Sequence, residues 1–194
     1  MKRCARELRE RFSISSPRVL RSDLRTIYRA ERIRIDLWPH KLRDLRGAYF
    51  CDDCGPTVIL AKGLPEEPMV FTMAHELKHH FQDRGIGLSF CDVSNEQNYI
   101  EIGAEVFAVE FIFPEADFLS AAQTCGVRRG NVQPADVVRL KHDTRTTLSY
   151  TSLVKRLDFL GFAPAASFKG ARWKKLEEEL YGEPLYKRLI RRRK

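Results

Sequence analysis

A chain of 194 residues is long enough to bury a real core and fits one domain with a small appendage. With 43% hydrophobic and 31% charged residues it has the balance of a soluble globular protein. No window reaches transmembrane length, and no apolar run follows Lys2, Arg3 and Arg6 to form a secretory signal. The net charge of +8 divides into +8 over residues 1–46, −6 over 47–168 and +6 over 169–194, so two basic ends flank an acidic middle.

Residues 3–12 read as a short charged helix. Ser16-Pro17 offers an N-cap followed by proline at the first helical position, opening a helix to about Ala30 with Val19, Leu20, Leu24, Ile27 and Tyr28 on one face. Ile33, Ile35 and Leu37 alternate with Arg34 and Asp36 as a half-buried strand, ended by Trp38-Pro39. Further strands are expected over residues 47–51 and 57–61, on either side of the turn Asp52-Asp53-Cys54-Gly55-Pro56. Together they predict a small three-stranded antiparallel sheet.

Pro65 and Pro68 mark the entry to a helix over residues 68–82, with Val70, Phe71, Ala74, Leu77 and Phe81 on its apolar face and Gly85-Ile86-Gly87 at its end. A polar loop over 92–97 leads into a long helix over 96–113, stopped by Pro114. A shorter helix is expected over 115–124 and a loop over 126–131. Residues 134–141 and 149–160 read as two more helices, the second opening at a Ser/Thr-rich cap and closing at Gly161. Their spacing resembles that of a helix-turn-helix, but it is also that of the commoner arrangement, a helical hairpin packed on a core. A last helix over 173–181 precedes Arg191-Arg192-Arg193-Lys194. The expected organisation is a domain over 1–125, a helix-turn-helix-like subdomain over 132–164 and a basic helix and tail over 165–194.

His75-Glu76-Leu77-Lys78-His79 spells H-E-x-x-H inside the helix expected over 68–82. Histidines four apart share a helical face, so both imidazoles can reach one ion, and Glu76 sits beside it where it can take a proton from water. His80, rotated by roughly 100 degrees, is not expected to share the metal and reads as a surface residue or a neighbour of the ligands. Catalytic sites of this kind have three protein ligands and keep one position open. The third is expected on a helix returning past the first, where Glu101 and Glu105 lie four apart among Ile100, Ile102, Val106, Phe107 and Phe111. Carboxylates in so apolar a helix call for a partner or a metal. One would ligate, and the other would orient a histidine by accepting its free ring N–H. His142, Tyr99 and Tyr150 are candidates for a second electrophile that assists the developing oxyanion.

The run Phe71-Thr72-Met73-Ala74-His75-Glu76-Leu77-Lys78-His79 resembles the F-T-x-A-H-E-L-G-H signature of the ImmA/IrrE family of bacterial and phage metallopeptidases. Residues 101–114, from Glu101 through Gly103, Ala104, Glu105 and Phe107 to Phe113-Pro114, resemble that family's second signature, E-x-x-A-N-x-F-A-x-x-L-L-M-P. The resemblance covers roughly residues 15–162. It implies an α+β fold with a mostly helical, zincin-like core. It also implies Zn2+ on His75, His79 and Glu101 and Glu76 as general base, and it leaves Glu105, where the family commonly has Asn, as the candidate to orient a ligand. The ligand set tolerates Mn2+ or another divalent ion as well. The implied activity is a cytoplasmic endopeptidase whose substrate is a helix-turn-helix repressor or antitoxin, cleaved to release a mobile-element, toxin–antitoxin or stress programme. Departures are Lys78 for glycine, Phe113 for methionine, and Gly103 where an acidic residue sometimes stands. Lys78 is expected on the exposed edge of its helix or perturbing the charge of the cleft.

A different class of function also fits the charge pattern: a DNA- or protein-binding regulator built on the paired helices and basic ends, with a structural zinc. Cys51-x-x-Cys54 has the shape of half a zinc knuckle without a second half. Five scattered cysteines favour reduced thiols in a cytosol over a disulfide framework.

Overall fold

Eight helices and four strands form among the residues that the computed structural model of the chain describes, namely 1–39, 46–84, 88–91, 99–184, 187 and 189. The class is α+β. By its contacts the chain divides into two compact units, Met1–Asp117 with Thr146–Leu148, and Phe118–Arg145 with Ser149–Lys194.

The first unit opens with helices α1 (Lys2–Arg11) and α2 (Arg21–Ala30). Helix α2 starts four residues later than Pro17 promises. Ser16 Oγ accepts from Arg18 N at 3.0 Å and so makes a turn, not a cap. The segment beyond it is drawn out as Thr147 N donates to the Pro17 carbonyl and Thr147 Oγ1 to the Val19 carbonyl. Asp23 then caps the true start, accepting from Leu20 N at 2.8 Å.

Strands β1 (Arg34–Trp38), β2 (Gly47–Asp52), β3 (Gly55–Ala61) and β4 (Leu88–Cys91) form one sheet in the order β1-β3-β2-β4. The hairpin β2–β3 is antiparallel, with Gly55 at φ 98 in its turn. Strand β1 runs parallel to β3, Arg34 opposite Thr57, so the sheet is mixed and four-stranded, not three-stranded and antiparallel as the strand pattern suggests. The alternation in β1 marks a half-buried strand but carries no information about which edge of the hairpin it joins. β4 falls in a four-residue stretch too short to register as a strand by periodicity.

Helix α3 (Glu66–Gln82) starts two residues before the expected Pro68, which falls in its first turn and is tolerated there because that turn's N–H groups have no helical partner. It packs on β2 and β3, on α2, and on α4 (Tyr99–Ile112). Enclosed by all four, its middle is buried all round: Val70, Met73, Ala74 and Leu77 are fully covered, and so are the polar positions between them. Helix α1 packs on α4. There the buried Arg9 donates to the Phe111 carbonyl at 2.6 Å and to the Ser16 carbonyl at 3.2 Å. Glu110, also buried, pairs with Arg6 at 2.8 Å and accepts from Glu115 N, the first residue of α5 (Glu115–Thr124).

In the second unit α6 (Pro134–Thr144) is capped by Asp136 and ends at Arg145 with φ 52, while α7 (Tyr150–Phe159) is capped by Ser149, whose Oγ accepts from Ser152 N at 3.1 Å. Gly161, at φ 70, closes α7. A 3-10 turn (Ala165–Phe168) and α8 (Trp173–Tyr181) complete it. Val137, Val138, Leu140, Leu153 and Leu157 form its core, and Arg156 lies over the Phe118 ring. No described helix is long and apolar enough to cross a membrane. The glycine stop at 85–87, the polar loop at 92–97, the expected start of α4 at 96 and the terminal basic run lie outside the described residues.

Candidate active site

Along α3, His75 and His79 fall one turn apart with ring centroids 5.2 Å from each other, both buried. The first turn of α4 brings Glu101 against them. Its Oε2 lies 3.0 Å from His75 Nε2 and its Oε1 3.5 Å from His79 Nε2. One donor atom from each of the three lies within 4.8 Å of the others, and no other such group of His, Cys, Asp or Glu occurs among the described residues. Two imidazole nitrogens and one carboxylate suit a borderline divalent ion. The fit is supported by His79 Nε2, which is buried and has no hydrogen-bond partner among the described residues. An unpaired ring nitrogen in a dry site is costly unless it binds something.

Glu76 is fully buried, and neither of its oxygens has a hydrogen-bond partner among the described residues. Burial, reinforced by the nearby Glu101 carboxylate, pushes its carboxyl well above the usual range. The room for that carboxyl comes from Gly47 at the start of β2. A Cβ placed there would stand 2.7 Å from Glu76 Oε1 and 2.5 Å from Thr72 Cγ2. Tyr28, on α2, donates to the Met73 carbonyl at 2.9 Å, and burial together with Glu76 raises its phenol well above the ordinary value. Burial, with His75 beside it, lowers the His79 imidazole, which favours the neutral form that can ligate.

A carboxylate that the sequence did not point to, Asp83, reaches the second ring nitrogen of His79. Its Oδ2 lies 2.8 Å from His79 Nδ1. Only the i, i+4 spacing from His79 could have signalled it. Glu105 is half-buried one turn beyond Glu101. Lys78 is not on an exposed edge: it is 1% exposed and donates to Asp83 Oδ2 at 2.5 Å and to the Ile100 carbonyl at 2.8 Å. The cause is the enclosure of α3 by the sheet and α4 together, which leaves the middle of that helix no solvent edge. His80, for the same reason, is no surface residue. It is buried against the Tyr49 hydroxyl at 3.2 Å, and its other nitrogen lies 3.7 Å from Glu31.

Tyr99 begins α4 and is 91% exposed. His142 and Tyr150 belong to the second unit: His142 stacks on Tyr181, and Tyr150 stacks on Trp173 and donates to Glu177. Cys51 and Cys54 are free thiols and belong to no metal-holding group among the described residues.

No curated protein matches the sequence. The family profile described as the IrrE N-terminal-like domain of the M78 peptidases matches residues 30–157, a span that contains both histidines, Glu76, Asp83 and Glu101. With two thirds of its length matched, including the whole cluster on α3 and α4, the chain belongs to this M78, IrrE-like family of metallopeptidases.

Proposed function

We propose that the chain is a zinc-dependent endopeptidase of the cytoplasm that cleaves a regulatory protein of the helix-turn-helix repressor or antitoxin type. The observation that carries the activity is Glu76, a buried carboxyl without a hydrogen-bond partner among the described residues, beside a cluster of two histidines and one glutamate. A buried acid of this kind is poised for proton transfer, and the neighbouring donors are the residues that would hold the ion. His75, His79 and Glu101 would be its ligands. Once bound, Zn2+ supplies Lewis-acid activation of water and polarisation of the scissile carbonyl. The proton chemistry falls to the chain: Glu76 accepts a proton from the attacking water and passes it to the leaving amine. Its raised carboxyl makes it a more capable base than an exposed glutamate. Zinc is favoured over manganese by the two imidazoles and by the general order of divalent affinities.

The substrate class rests on the likeness of the residues 71–79 and 101–114 to the ImmA/IrrE signatures, and the free thiols at Cys4, Cys51, Cys54 and Cys125 suit a reducing compartment. The test is incubation of the purified, Zn2+-loaded chain with helix-turn-helix proteins from neighbouring open reading frames, cleavage being mapped by mass spectrometry. Expected is a single cut that Glu76→Gln abolishes. An uncut repressor together with a cut general peptide library would remove the substrate assignment and leave the peptidase. No cleavage of either would remove both.

A further inference from the structure

An imidazole ligates only when its lone pair faces the ion, which requires the proton to be held on the other ring nitrogen. For His79 that other nitrogen is Nδ1, and Asp83 Oδ2 lies 2.8 Å from it, placed to accept its proton. A proton held there would leave the lone pair on Nε2, which lies 3.5 Å from Glu101 Oε1. The same Asp83 oxygen accepts from Lys78 Nζ at 2.5 Å, and Lys78 also donates to the carbonyl of Ile100, the residue before Glu101. One ammonium thus joins the end of α3, which carries His79, to the first turn of α4, which carries Glu101. Lys78 runs alongside Gly103 of α4, where a Cβ would meet Lys78 Cε at an ordinary contact distance of 3.4 Å.

We propose that Asp83 is the positioning residue that fixes His79 for ion binding, and that Lys78 holds Asp83 in place while bracing α4 at Glu101. The proposal rests on the reading of His75, His79 and Glu101 as an ion site. Lys78 is 1% exposed and Asp83 9%, so removing either alone strands the other in a dry place. The clean variant removes both, Lys78→Met with Asp83→Ala, and leaves the net charge unchanged.

Two measurements on the full chain test it. In the zinc-free protein at mildly alkaline pH, long-range proton–nitrogen correlation spectra report the His79 tautomer. Wild type is expected to hold the proton on Nδ1, and the double variant to populate the Nε2–H form. A purely structural loss would not move this signal. Zn2+ affinity, read by competition with a chromogenic chelator, is expected to fall about 10- to 100-fold with one ion still bound. An unchanged tautomer, or unchanged affinity, overturns the proposal. If circular dichroism shows the double variant unfolded, Asp83→Asn keeps the volume but replaces the charged acceptor shared by Lys78 and His79 with a neutral amide oxygen. A weaker shift in the same direction is expected there, and none overturns the proposal. Zn2+ uptake that survives His75→Ala with Glu101→Ala would overturn the ion site itself, and with it the purpose given to Asp83, whatever the tautomer.

Discussion

At Glu76 a single side chain holds a carboxyl in a dry space with no hydrogen-bond partner among the described residues, and it does so because Gly47 has no side chain to fill that space. Replacing Glu76 with Gln keeps the shape and removes the proposed base. Peptide hydrolysis is expected to fall by about a hundred- to ten-thousand-fold, with one Zn2+ per chain still bound in a metal analysis. Gly47→Ala tests the space instead of the group. Its Cβ would press on Thr72 and on Glu76 Oε1, at 2.5 and 2.7 Å. Urea denaturation should show a loss of about 1–3 kcal/mol, and hydrolysis should drop as Glu76 is displaced. The importance of Gly47 was invisible in the sequence, where it only opens a strand, because the group it admits is 29 positions away on another element.

At the scale of elements, the site depends on α4 keeping its place beside α3, and part of that hold comes from α1. Arg9 reads in the sequence as one more charge on a solvated helix. In the structure it is buried and donates to the Phe111 and Ile112 carbonyls at the end of α4. Those carbonyls are among the last of the helix and have no partner within it. Arg9→Met should lower stability by about 2–3 kcal/mol in chemical denaturation, since a charged donor to buried carbonyls is lost. A surface arginine of the same helix, such as Arg3, should change it by less than about 0.5 kcal/mol. The H-E-x-x-H lay open to reading because helical period is local and needs no knowledge of neighbours. The mixed sheet did not: β1 joins β3 in parallel through a register set by partners that are distant in the chain.

For the whole molecule, an ion held by residues from two helices stabilises the folded chain and not the unfolded one. At free Zn2+ about a hundredfold above the dissociation constant, the added stability is about 2.7 kcal/mol. Chelation should therefore lower the melting temperature by about 5–10 °C in a chain of this size, and re-addition of Zn2+ should restore it. The same treatment of the variant with His75→Ala and Glu101→Ala should leave the melting temperature unmoved. Chelation should abolish hydrolysis in parallel with the thermal shift.

The amino-acid order by itself determined the helices that carry the chemistry, the spacing of His75 and His79, the placing of Glu76 between them, and the pair of glutamates on a second apolar helix. Each of these follows from near-neighbour periodicity and from the cost of leaving a carboxylate in apolar surroundings. The fold alone decided that Glu101 reaches both imidazoles, that Asp83 and not a residue of α4 reaches His79 Nδ1, and that Lys78 and His80 are buried. It also decided that Gly47 makes room for the carboxyl of Glu76. The reason is enclosure: once the sheet, α2 and α4 close around α3, a position has no exposed edge to choose, and its partners are set by packing at long range in the chain.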